Sequence, residues 1–256
     1  TPMADAVPVQ VYAAGSLREA LVEIADNHQA CTGQAVALTF GASGLLRERI
    51  ENGGHAQVFA CADMDHPQHL AASHSWLPPV VFTRNTLCVL TTQPLCDRVG
   101  VHFCAAPETL LATLLRADVR VGTSTPGADP SGDYAWAFFR RADAVLSGAC
   151  AQLTAKALQL TGADHLPRPP PGQGTYAWIM EQGLADVFLT YYSNAIAAQV
   201  QVPHLRALPL PAPLQVHADY GLSVRKAAPP AAHAFAHALR QPGAQAVLQR
   251  LGFGAM

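Results

Sequence analysis

Short apolar segments alternate with amphipathic segments along the N-terminal part of this chain, and that alternation restricts its fold more than any other feature. The apolar segments at 9–14, 35–40 and 58–62 have the length of buried strands, whereas the segments at 17–30 and 45–51 carry apolar residues at helical spacing. Strand–helix–strand units of this kind form right-handed crossovers and a parallel sheet. The chain is therefore predicted to be an α/β protein.

The same alternation restarts further along the chain. Two β-rich segments and a loop that contains Pro and Cys separate the first set from the second. The remaining strands are predicted at 80–82, 86–91, 119–122, 186–191 and 216–224, and the remaining helices at 107–115, 133–145, 152–159, 174–182, 229–239 and 243–251. This order predicts two lobes, 8–83 plus 218–256 and 84–217, although one continuous sheet with a long insertion would give a similar pattern.

Charged residues are few and nearly balanced in sign. Asp, Glu, Lys and Arg make up 13% of the 256 residues, the formal net charge is −2, and no block of Lys or Arg occurs. Nucleic-acid-binding domains usually carry a basic stripe, so no nucleic-acid partner is predicted. Any bound anion has to be held by local dipoles rather than by the field of the whole protein.

Signals for a cellular compartment are weak. No apolar run approaches the ~20 residues that cross a bilayer, and residues 1–6 lack both the charged and the apolar part of a signal peptide. The chain is thus either cytosolic or a processed form.

Its six cysteines form no CxxC pair, which argues against a zinc or thioredoxin-like site. Cys96 and Cys104 flank a short loop that a disulfide could close, and buried free thiols are the alternative.

Small and hydroxylic residues recur where a predicted strand passes into a helix. Ser16, Ser43 and Ser131 all occupy such junctions. The first turn of a helix offers unpaired backbone N–H groups and the positive end of the helix dipole. In open α/β sheets these turns gather at the carboxyl ends of the strands, where ligands bind. The three hydroxyls are therefore predicted to converge on one ligand.

Two other interpretations of these serines stay open. Ser16 and Glu19 form a Ser-x-x-Glu capping box, in which the serine closes its own helix. Capping and ligand binding are compatible, because a capping position puts the hydroxyl beside the free N–H groups. Residues 41–45 resemble the GxSxG motif of serine hydrolases, but Leu45 stands where the last glycine belongs.

The histidines show two spacings that occur in metal sites. His233 and His237 are four residues apart on a predicted helix, and His66, His69 and His74 lie close together in the sequence. A metal site needs three or four ligands in one place. These histidines are therefore interpreted as solvated surface residues, and no metal bound directly by the protein is predicted.

Several segments, taken in order, resemble the molybdate-binding proteins of ABC transporters. Each motif is loose, but their order and spacing over essentially the whole chain are specific. The segments are 11–21 (VYAAGSLREAL), 40–63 (FGASGLLRERIENGGHAQVFACAD), 84–90 (RNTLCVL), 129–135 (DPSGDYA), 183–195 (GLADVFLTYYSNA) and 241–253 (QPGAQAVLQRLGF).

The resemblance implies a type II periplasmic binding protein fold. Its two lobes would each be a mostly parallel sheet flanked by helices, joined by two hinge strands, with the anion in the cleft between them. The implied anion-binding residues are Ser16, Ser43, Ser131, Gln173 and Tyr191. Ser16 and Ser43 would donate through hydroxyl and backbone N–H, Gln173 would donate through its backbone N–H, and Tyr191 through its phenol. Ser131 stands where the family usually has an alanine that donates through its backbone.

The implied protein is not an enzyme and needs no cofactor. As a processed periplasmic monomer it would close around molybdate or tungstate by a hinge motion and deliver the ion to a membrane permease, so that molybdenum or tungsten is present only as the bound oxyanion. Three departures from the family leave the ligand open: the hydroxyl of Ser131, the carboxylates of Asp129 and Asp133, and Thr-Ser-Thr at 123–125. Another anion (sulfate, phosphate or a small carboxylate) is the alternative ligand, and a serine hydrolase is the alternative class.

The chemistry of molybdate is consistent with these residues. At pH 7 the ion is a dianion that only accepts hydrogen bonds, so its site needs donors and no buried acceptor. Four to six charge-assisted hydrogen bonds, at about 1.5–3 kcal/mol each, reach the ~8–12 kcal/mol of a micromolar-to-nanomolar complex. Sulfate makes similar bonds, so the size of the site would have to exclude it.

Overall fold

The computed structural model describes residues 7–256 and has the predicted alternation of strands and helices. Residues 1–6, which the signal-peptide prediction concerns, lie outside the described residues. The strands are β1 Val9–Ala14, β2 Val36–Gly41, β3 Val58–Cys61, β4 Val80–Thr92, β5 Val121–Ser124, β6 Leu158–Thr161, β7 Val187–Tyr191, β8 Leu205–Pro209 and β9 His217–Val224. The helices are α1 Arg18–Thr32, α2 Ser43–Glu51, α3 Asp65–Ala71, α4 Gln93–Val99, α5 Pro107–Leu114, α6 Pro130–Ala142, α7 Ala149–Lys156, α8 Thr175–Glu181, α9 Tyr192–Gln201, α10 Pro230–Leu239 and α11 Pro242–Arg250.

The described chain divides into two compact units. The first unit contains the chain up to Arg84 together with Asp219–Met256, and the second unit is Asn85–Ala218. Strands β4 and β9 both run across a boundary, so each contributes residues to both units. The α/β class predicted from the sequence is confirmed, since helices and strands alternate in both units.

The first unit contains a sheet whose central strands are parallel. Strand β1 lies between β2 and β3 and is parallel to both. Ala14, the last residue of β1, is aligned with Gly41 of β2, and Ala13 is aligned with Ala60 of β3. Because these strands run in one direction, their carboxyl ends lie at the same edge of the sheet. Strand β9 adds to the other side of β3 in the antiparallel direction.

Helices cover this first sheet through apolar side chains. Helix α10 contacts β1 and β3, and α1 contacts both α10 and α11. Tyr12 and Phe59 are aligned neighbours on β1 and β3, and they are buried with Leu46 of α2 and Leu70 of α3. Helix α1 ends at Gly33, whose φ of 76° is left-handed and suits glycine because it has no Cβ.

The second unit contains a mixed sheet. Strand β5 pairs in parallel with β6 and β7, whereas β4 pairs antiparallel with β7 and β8. Alternate residues of β4 enter different cores: Leu87 and Val89 pack with helices α5, α6 and α7, and Cys88 and Leu90 pack with α8 and α9. Since successive side chains of a strand point to opposite faces, helices cover both faces of this sheet.

Several elements differ from the sequence prediction. The strands expected at 80–82 and 86–91 are one strand, β4, because Thr83 and Asn85 are buried within it. The expected loop after it is the helix α4, which Thr92 caps by accepting the Leu95 N–H at 3.3 Å. Helices α3 and α9 and strands β6 and β8 were not predicted, and the helix expected at 152–159 is α7, which ends at Lys156.

All six cysteines carry free thiols, so the disulfide between Cys96 and Cys104 is not formed. Both residues are buried in the core of the second unit. Burial, and then the neighbouring Cys96, raise the pKa of Cys104 to about 12, so this thiol stays protonated at neutral pH. The alternative interpretation of buried thiols describes these two residues.

Membrane-spanning character is not found in the described part of the chain, where no helix combines sufficient length with sufficient apolar character to cross a bilayer.

Candidate functional site

Ser16 and Ser43 lie side by side at one edge of the first sheet. Their strands, β1 and β2, are parallel and end in register at Ala14 and Gly41. Each serine follows the end of its strand by two residues. The sequence prediction that these two hydroxyls come together is therefore consistent with the register of the sheet.

A hydrogen bond ties Ser43 to the end of the third parallel strand. Ser43 is fully buried as the first residue of α2, and its Oγ accepts the backbone N–H of Ala62 at 3.2 Å. Ala62 directly follows β3, which lies on the opposite side of β1 from β2. The bond therefore spans the end of β1, which is where Ser16 lies.

Ser16 has a partner that the sequence analysis did not select. Its Oγ lies 2.8 Å from the phenolic oxygen of Tyr220 on β9, and Tyr220 is fully buried. The signal available in the sequence was a tyrosine within a buried strand, since a buried phenol usually has a hydrogen-bond partner. Ser16, Ser43, Ala62 and Tyr220 are called the Ser16–Ser43 group below.

The capping-box interpretation of Ser16 is wrong in this structure. Leu17 occupies the cap position of α1, and no side chain caps that helix or the short 3-10 turn Gly15–Leu17 before it. The Ser16 hydroxyl bonds to Tyr220 instead. Because the hydroxyl does not close its own helix, capping does not account for a serine at this position.

The partner of Ser43 determines what this hydroxyl can do. A backbone N–H can only donate, so Ser43 Oγ acts as the acceptor and its own proton is left for another group. The Cys61 sulfur also lies within hydrogen-bond reach of Ser43. Burial, and then Asp63, raise the pKa of Cys61 well above its usual value, so the thiol stays protonated and donates to Asp63 Oδ1 at 3.4 Å. Since a thiol sulfur is a weak acceptor, an oxyanion would compete well for the Ser43 proton.

A serine nucleophile needs a base, and Ser43 is not arranged in that way. Its Oγ accepts a backbone N–H, and among residues 7–256 no imidazole is hydrogen-bonded to it. The common Ser–His arrangement of a hydrolase places a histidine in hydrogen-bond contact with the hydroxyl. The Ser–His arrangement of a serine hydrolase is therefore not formed around Ser43 within the described residues.

Asp63 and His66 form a buried polar pair near Ser43. Asp63 Oδ1 accepts the backbone N–H of His66 at 3.2 Å, and His66 Nε2 lies 3.9 Å from Asp63 Oδ2. Burial raises the pKa of Asp63, while the nearby His66 acts in the opposite direction. His66 is 9% exposed, so the interpretation as a solvated surface residue is wrong for this histidine. Within the described residues, no three His, Cys, Asp or Glu side chains are grouped to hold a metal ion.

In the second unit, the hydroxyl of Ser131 is available to a ligand, whereas its backbone N–H is already hydrogen-bonded. It is 1% exposed in the first turn of α6. Its N–H donates to the capping carboxylate of Asp129 at 3.3 Å, and the Gly132 N–H donates to the Asp129 carbonyl at 2.9 Å. The Ser131 hydroxyl has no hydrogen-bond partner among the described residues. The donor implied by the resemblance, a backbone N–H, is therefore occupied, and the hydroxyl is the group available to a ligand.

Tyr134 follows Ser131 by about one helical turn and packs against Tyr191. It lies three residues after Ser131, on the same side of α6, and its ring packs edge-on against the ring of Tyr191 with 6.1 Å between centroids. Tyr191 is 2% exposed, ends β7 and directly precedes α9. Ser131, Tyr134 and Tyr191 are called the Ser131–Tyr191 group below.

The first turn of α9 adds a helix dipole to this group. Tyr191 is the residue before α9, and no side chain caps the helix. The polar side chains that follow bond elsewhere: Ser193 Oγ accepts Asn85 Nδ2 at 2.8 Å, and Asn194 Nδ2 donates to Thr190 Oγ1 at 3.0 Å. The positive end of α9 thus lies beside the backbone of Tyr191. This helix was not predicted from the sequence, although Ser193 and Asn194 after a strand are typical of a helix start.

Asp129 and Asp133 hold the segment before α6 in place. Asp129 Oδ2 accepts the Ser124 hydroxyl at 2.5 Å, and Asp133 Oδ1 accepts the Gly127 N–H at 2.9 Å. Carboxylates at a helix start are stabilised by the amides and by the helix dipole. Both carboxylates therefore have a structural role at this helix start.

Gln173 is not joined to either group by the contacts of the structure. It is half-buried, and its backbone N–H donates to the Pro170 carbonyl at 3.2 Å. The following helix, α8, begins at Thr175, and Gly174 before it donates to Gln201 Oε1 at 2.8 Å. The N–H that the resemblance assigns to an anion thus closes a local turn.

Comparison with known proteins gives a family, a relative and structural neighbours. The model of a family described as bacterial extracellular solute-binding protein matches residues 9–254. An uncharacterized protein of Pasteurella multocida is 33% identical over 219 residues, covering 84% of this chain and 86% of that protein.

Solved structures with the same fold include two oxyanion-binding proteins. The periplasmic molybdate-binding protein of Azotobacter vinelandii has a TM-score of 0.72 at 19% identity, covering 97% of this chain and 99% of its own. The sulfate-binding protein SubI of Mycobacterium tuberculosis has a TM-score of 0.72 at 16% identity, covering 98% of this chain and 87% of its own. Identities this low show a common fold, and they confirm the predicted periplasmic binding protein fold.

Proposed function

Because this chain belongs to the bacterial extracellular solute-binding proteins, we propose that it captures molybdate or tungstate for the membrane permease of an ABC importer. Two groups of donors support this proposal, the Ser16–Ser43 group in the first unit and the Ser131–Tyr191 group in the second. All of their donors are neutral, and neither group contains a Lys or Arg side chain. Two structural neighbours, a molybdate-binding and a sulfate-binding protein, support a tetrahedral oxyanion as the ligand.

The observation that carries this proposal is the hydrogen bond from the Ala62 N–H to Ser43 Oγ. It makes Ser43 an acceptor inside the protein, so that its proton is available to an anion at the edge of the sheet. An oxyanion without protons can only accept hydrogen bonds, and it matches such a hydroxyl. Hydrogen bonds to a charged group contribute about 1.5–3 kcal/mol each, roughly twice the value for neutral pairs.

In the second unit, Ser131 offers a donor that suits the same kind of ligand. A buried hydroxyl without a partner costs about 1–3 kcal/mol, and an anion that accepts its proton removes that cost. Donors that are already buried and oriented need little reorganisation when the ligand binds. This preorganisation accounts for a site that works without a cationic side chain.

The proposal is tested by thermal unfolding and titration calorimetry with molybdate, tungstate, sulfate and phosphate in a chloride buffer. Molybdate or tungstate at ~100 times its dissociation constant should add about 2.7 kcal/mol to the free energy of unfolding. If sulfate or phosphate raises the melting temperature and molybdate and tungstate do not, the assigned ligand is wrong. If none of the four anions binds, oxyanion capture itself is wrong.

Variants test the residues. Ser16→Ala and Ser43→Ala should each weaken molybdate binding at least tenfold, because each removes one charge-assisted donor of about 1.5–3 kcal/mol. Ser73→Ala is the matched control, since Ser73 is exposed in the same unit and its Oγ donates to the Leu70 carbonyl. Ser131→Ala, in the second unit, should also weaken molybdate binding, because it removes a buried donor hydroxyl. Unchanged affinity in any of the three serine variants would remove that residue from the site.

A further inference from the structure

We propose that Tyr220 is a positioning residue that turns the Ser16 proton toward the anion and thereby restricts the ligand to oxyanions that carry no proton. The inference rests on the proposed function, because it concerns how one of the assigned donors is oriented. Tyr220 itself does not touch the ligand; it acts through Ser16, whose Oγ lies 2.8 Å from the phenolic oxygen.

The contact between two hydroxyls allows two arrangements of protons. Either the phenol donates to Ser16, and the Ser16 proton faces outward, or Ser16 donates to the phenol and presents a lone pair outward. A phenol is more acidic than an aliphatic hydroxyl, and its oxygen is the poorer acceptor. The first arrangement is therefore favoured, and it makes Ser16 a donor to the ligand.

Packing holds the phenol of Tyr220 in place before any ligand binds. The residue is fully buried, and its ring packs edge-on against Phe82 at 6.4 Å and Phe253 at 5.5 Å between centroids. The next residue, Gly221, is paired with Cys61 of β3, and a Cβ at that position would lie 2.8 Å from the Asp63 carbonyl oxygen. This close backbone approach determines the position of β9, and with it the position of the phenolic oxygen.

Ser43 is oriented in the same sense by a different group. The Ala62 N–H donates to Ser43 Oγ, so the Ser43 proton also remains for the ligand. With Tyr220 donating to Ser16, each serine uses one lone pair within the protein and directs its proton toward the ligand. Molybdate, tungstate and sulfate match this pair, whereas hydrogen phosphate needs an acceptor for its own proton. Leaving a polar group unpaired is a stronger cause of rejection than a difference in size.

The first experiment is a double-mutant cycle with Ser16→Ala, Tyr220→Phe and the double variant, measured as molybdate affinity by calorimetry. Tyr220→Phe keeps the buried ring and removes the phenol, and it should weaken binding about three- to tenfold. In the Ser16→Ala background the same change should have no further effect, because the hydroxyl that it orients is gone. Tyr12→Phe is the control, because Tyr12 is a buried tyrosine of β1 in the same unit. This variant should bind molybdate with the affinity of the wild type.

The second readout is the ratio of the molybdate affinity to the hydrogen phosphate affinity at about pH 8. In Tyr220→Phe the Ser16 hydroxyl can rotate and accept a proton, so this ratio should fall, whereas a loss of packing alone would lower both affinities together. If Tyr220→Phe binds molybdate like the wild type while Ser16→Ala does not, the role of Tyr220 is wrong and the proposed function stands. An equal loss of molybdate affinity on Tyr220→Phe in both backgrounds of the cycle would also overturn the role of Tyr220. If the wild type binds no oxyanion, the proposed function fails first.

Discussion

The serine hydroxyls of the candidate site make different contributions to stability. Ser131 is buried and its hydroxyl has no partner among the described residues, whereas the hydroxyl of Ser43 accepts the N–H of Ala62. Burial of an unpaired hydroxyl lowers stability. Removal of one partner from a buried pair leaves the other partner unsatisfied. Truncation of the two serines should therefore change the free energy of unfolding in opposite directions.

Ser131→Ala is expected to raise the free energy of unfolding of the ligand-free protein by up to about 1 kcal/mol, because it removes a buried polar group without a partner. The same variant should bind molybdate at least tenfold more weakly. Ser43→Ala should lower the free energy of unfolding by about 1 kcal/mol, because the hydrogen bond between Ser43 and the Ala62 N–H is lost. Urea unfolding without ligand measures both. A destabilised Ser131→Ala variant would show that the hydroxyl is already satisfied within the protein.

Asp63 makes stability depend on pH. Its pKa is raised from 3.8, with burial as the largest cause. The folded protein therefore holds this proton more tightly than the unfolded chain does. The stabilising effect is fully present below the unfolded pKa and is lost as pH rises through the raised folded pKa.

Asp63→Asn should accordingly gain stability relative to the wild type as the pH rises from about 4 to 7. An amide oxygen can still accept from the His66 N–H and the Cys61 thiol, so the local contacts are kept. Urea unfolding at several pH values measures the difference. Asp26→Asn, an exposed position on α1, serves as the control and should show no such trend. A constant difference between Asp63→Asn and the wild type would contradict the role of Asp63.

At the scale of elements, the start of α6 depends on a glycine. A Cβ at Gly132 would lie 2.4 Å from the carbonyl carbon of Thr125 and 2.5 Å from the nitrogen of Pro126. The first turn of α6 is thus in direct contact with the backbone that follows β5. This contact determines where Ser131, the preceding residue, is held.

Gly132→Ala should lower the free energy of unfolding by about 1–3 kcal/mol, because the backbone of the 125–126 segment cannot move aside as a flexible side chain would. It should also weaken molybdate binding, since Ser131 shifts with the helix. Gly243→Ala in α11 is the matched control: a Cβ there meets nothing within 4 Å, and the change should raise stability by about 0.5–1 kcal/mol. Chemical denaturation of both variants and calorimetry of the first provide the measurement. Equal free energies of unfolding for Gly132→Ala and the wild type would contradict the close contact between Gly132 and the 125–126 backbone.

At the scale of the whole molecule, charge is sparse. The formal net charge is −2, and charged residues make up 13% of the chain. The long-range field therefore does not attract a dianion, and binding depends on short-range donors. Salt screens interactions beyond roughly 10 Å at 0.1 M, and it has little effect on buried contacts.

Molybdate affinity should therefore change by less than about threefold when sodium chloride is raised from 0.05 M to 0.5 M, because no cationic side chain belongs to the donor groups. Titration calorimetry at the two salt concentrations measures this. Chloride is the appropriate salt because sulfate offers the same oxygen acceptors as the ligand. A loss of tenfold or more would indicate that Lys or Arg holds the anion.

The sequence by itself determined the α/β class and the placement of the junction serines. Strand and helix periodicities are local, so they are readable wherever one face of an element is buried. Ser16 and Ser43 follow apolar segments that could only be strands, and parallel strands bring their carboxyl ends to one edge. Helix α9 was missed although Ser193 and Asn194 are typical of a helix start, because it begins directly after β7 and element boundaries are the least certain part of a local pattern.

Tertiary structure alone decided which partner each hydroxyl has. Tyr220 lies 204 residues from Ser16 along the chain, and no local pattern joins them. The local pattern at Ser16 predicted a helix cap, but the hydroxyl bonds to a buried phenol that also requires a partner. Likewise, Ala62 reaches Ser43 only because β1 lies between β2 and β3. The direction in which each serine hydroxyl points its proton therefore depends on strand order, because the order of the strands determines which group lies next to each serine.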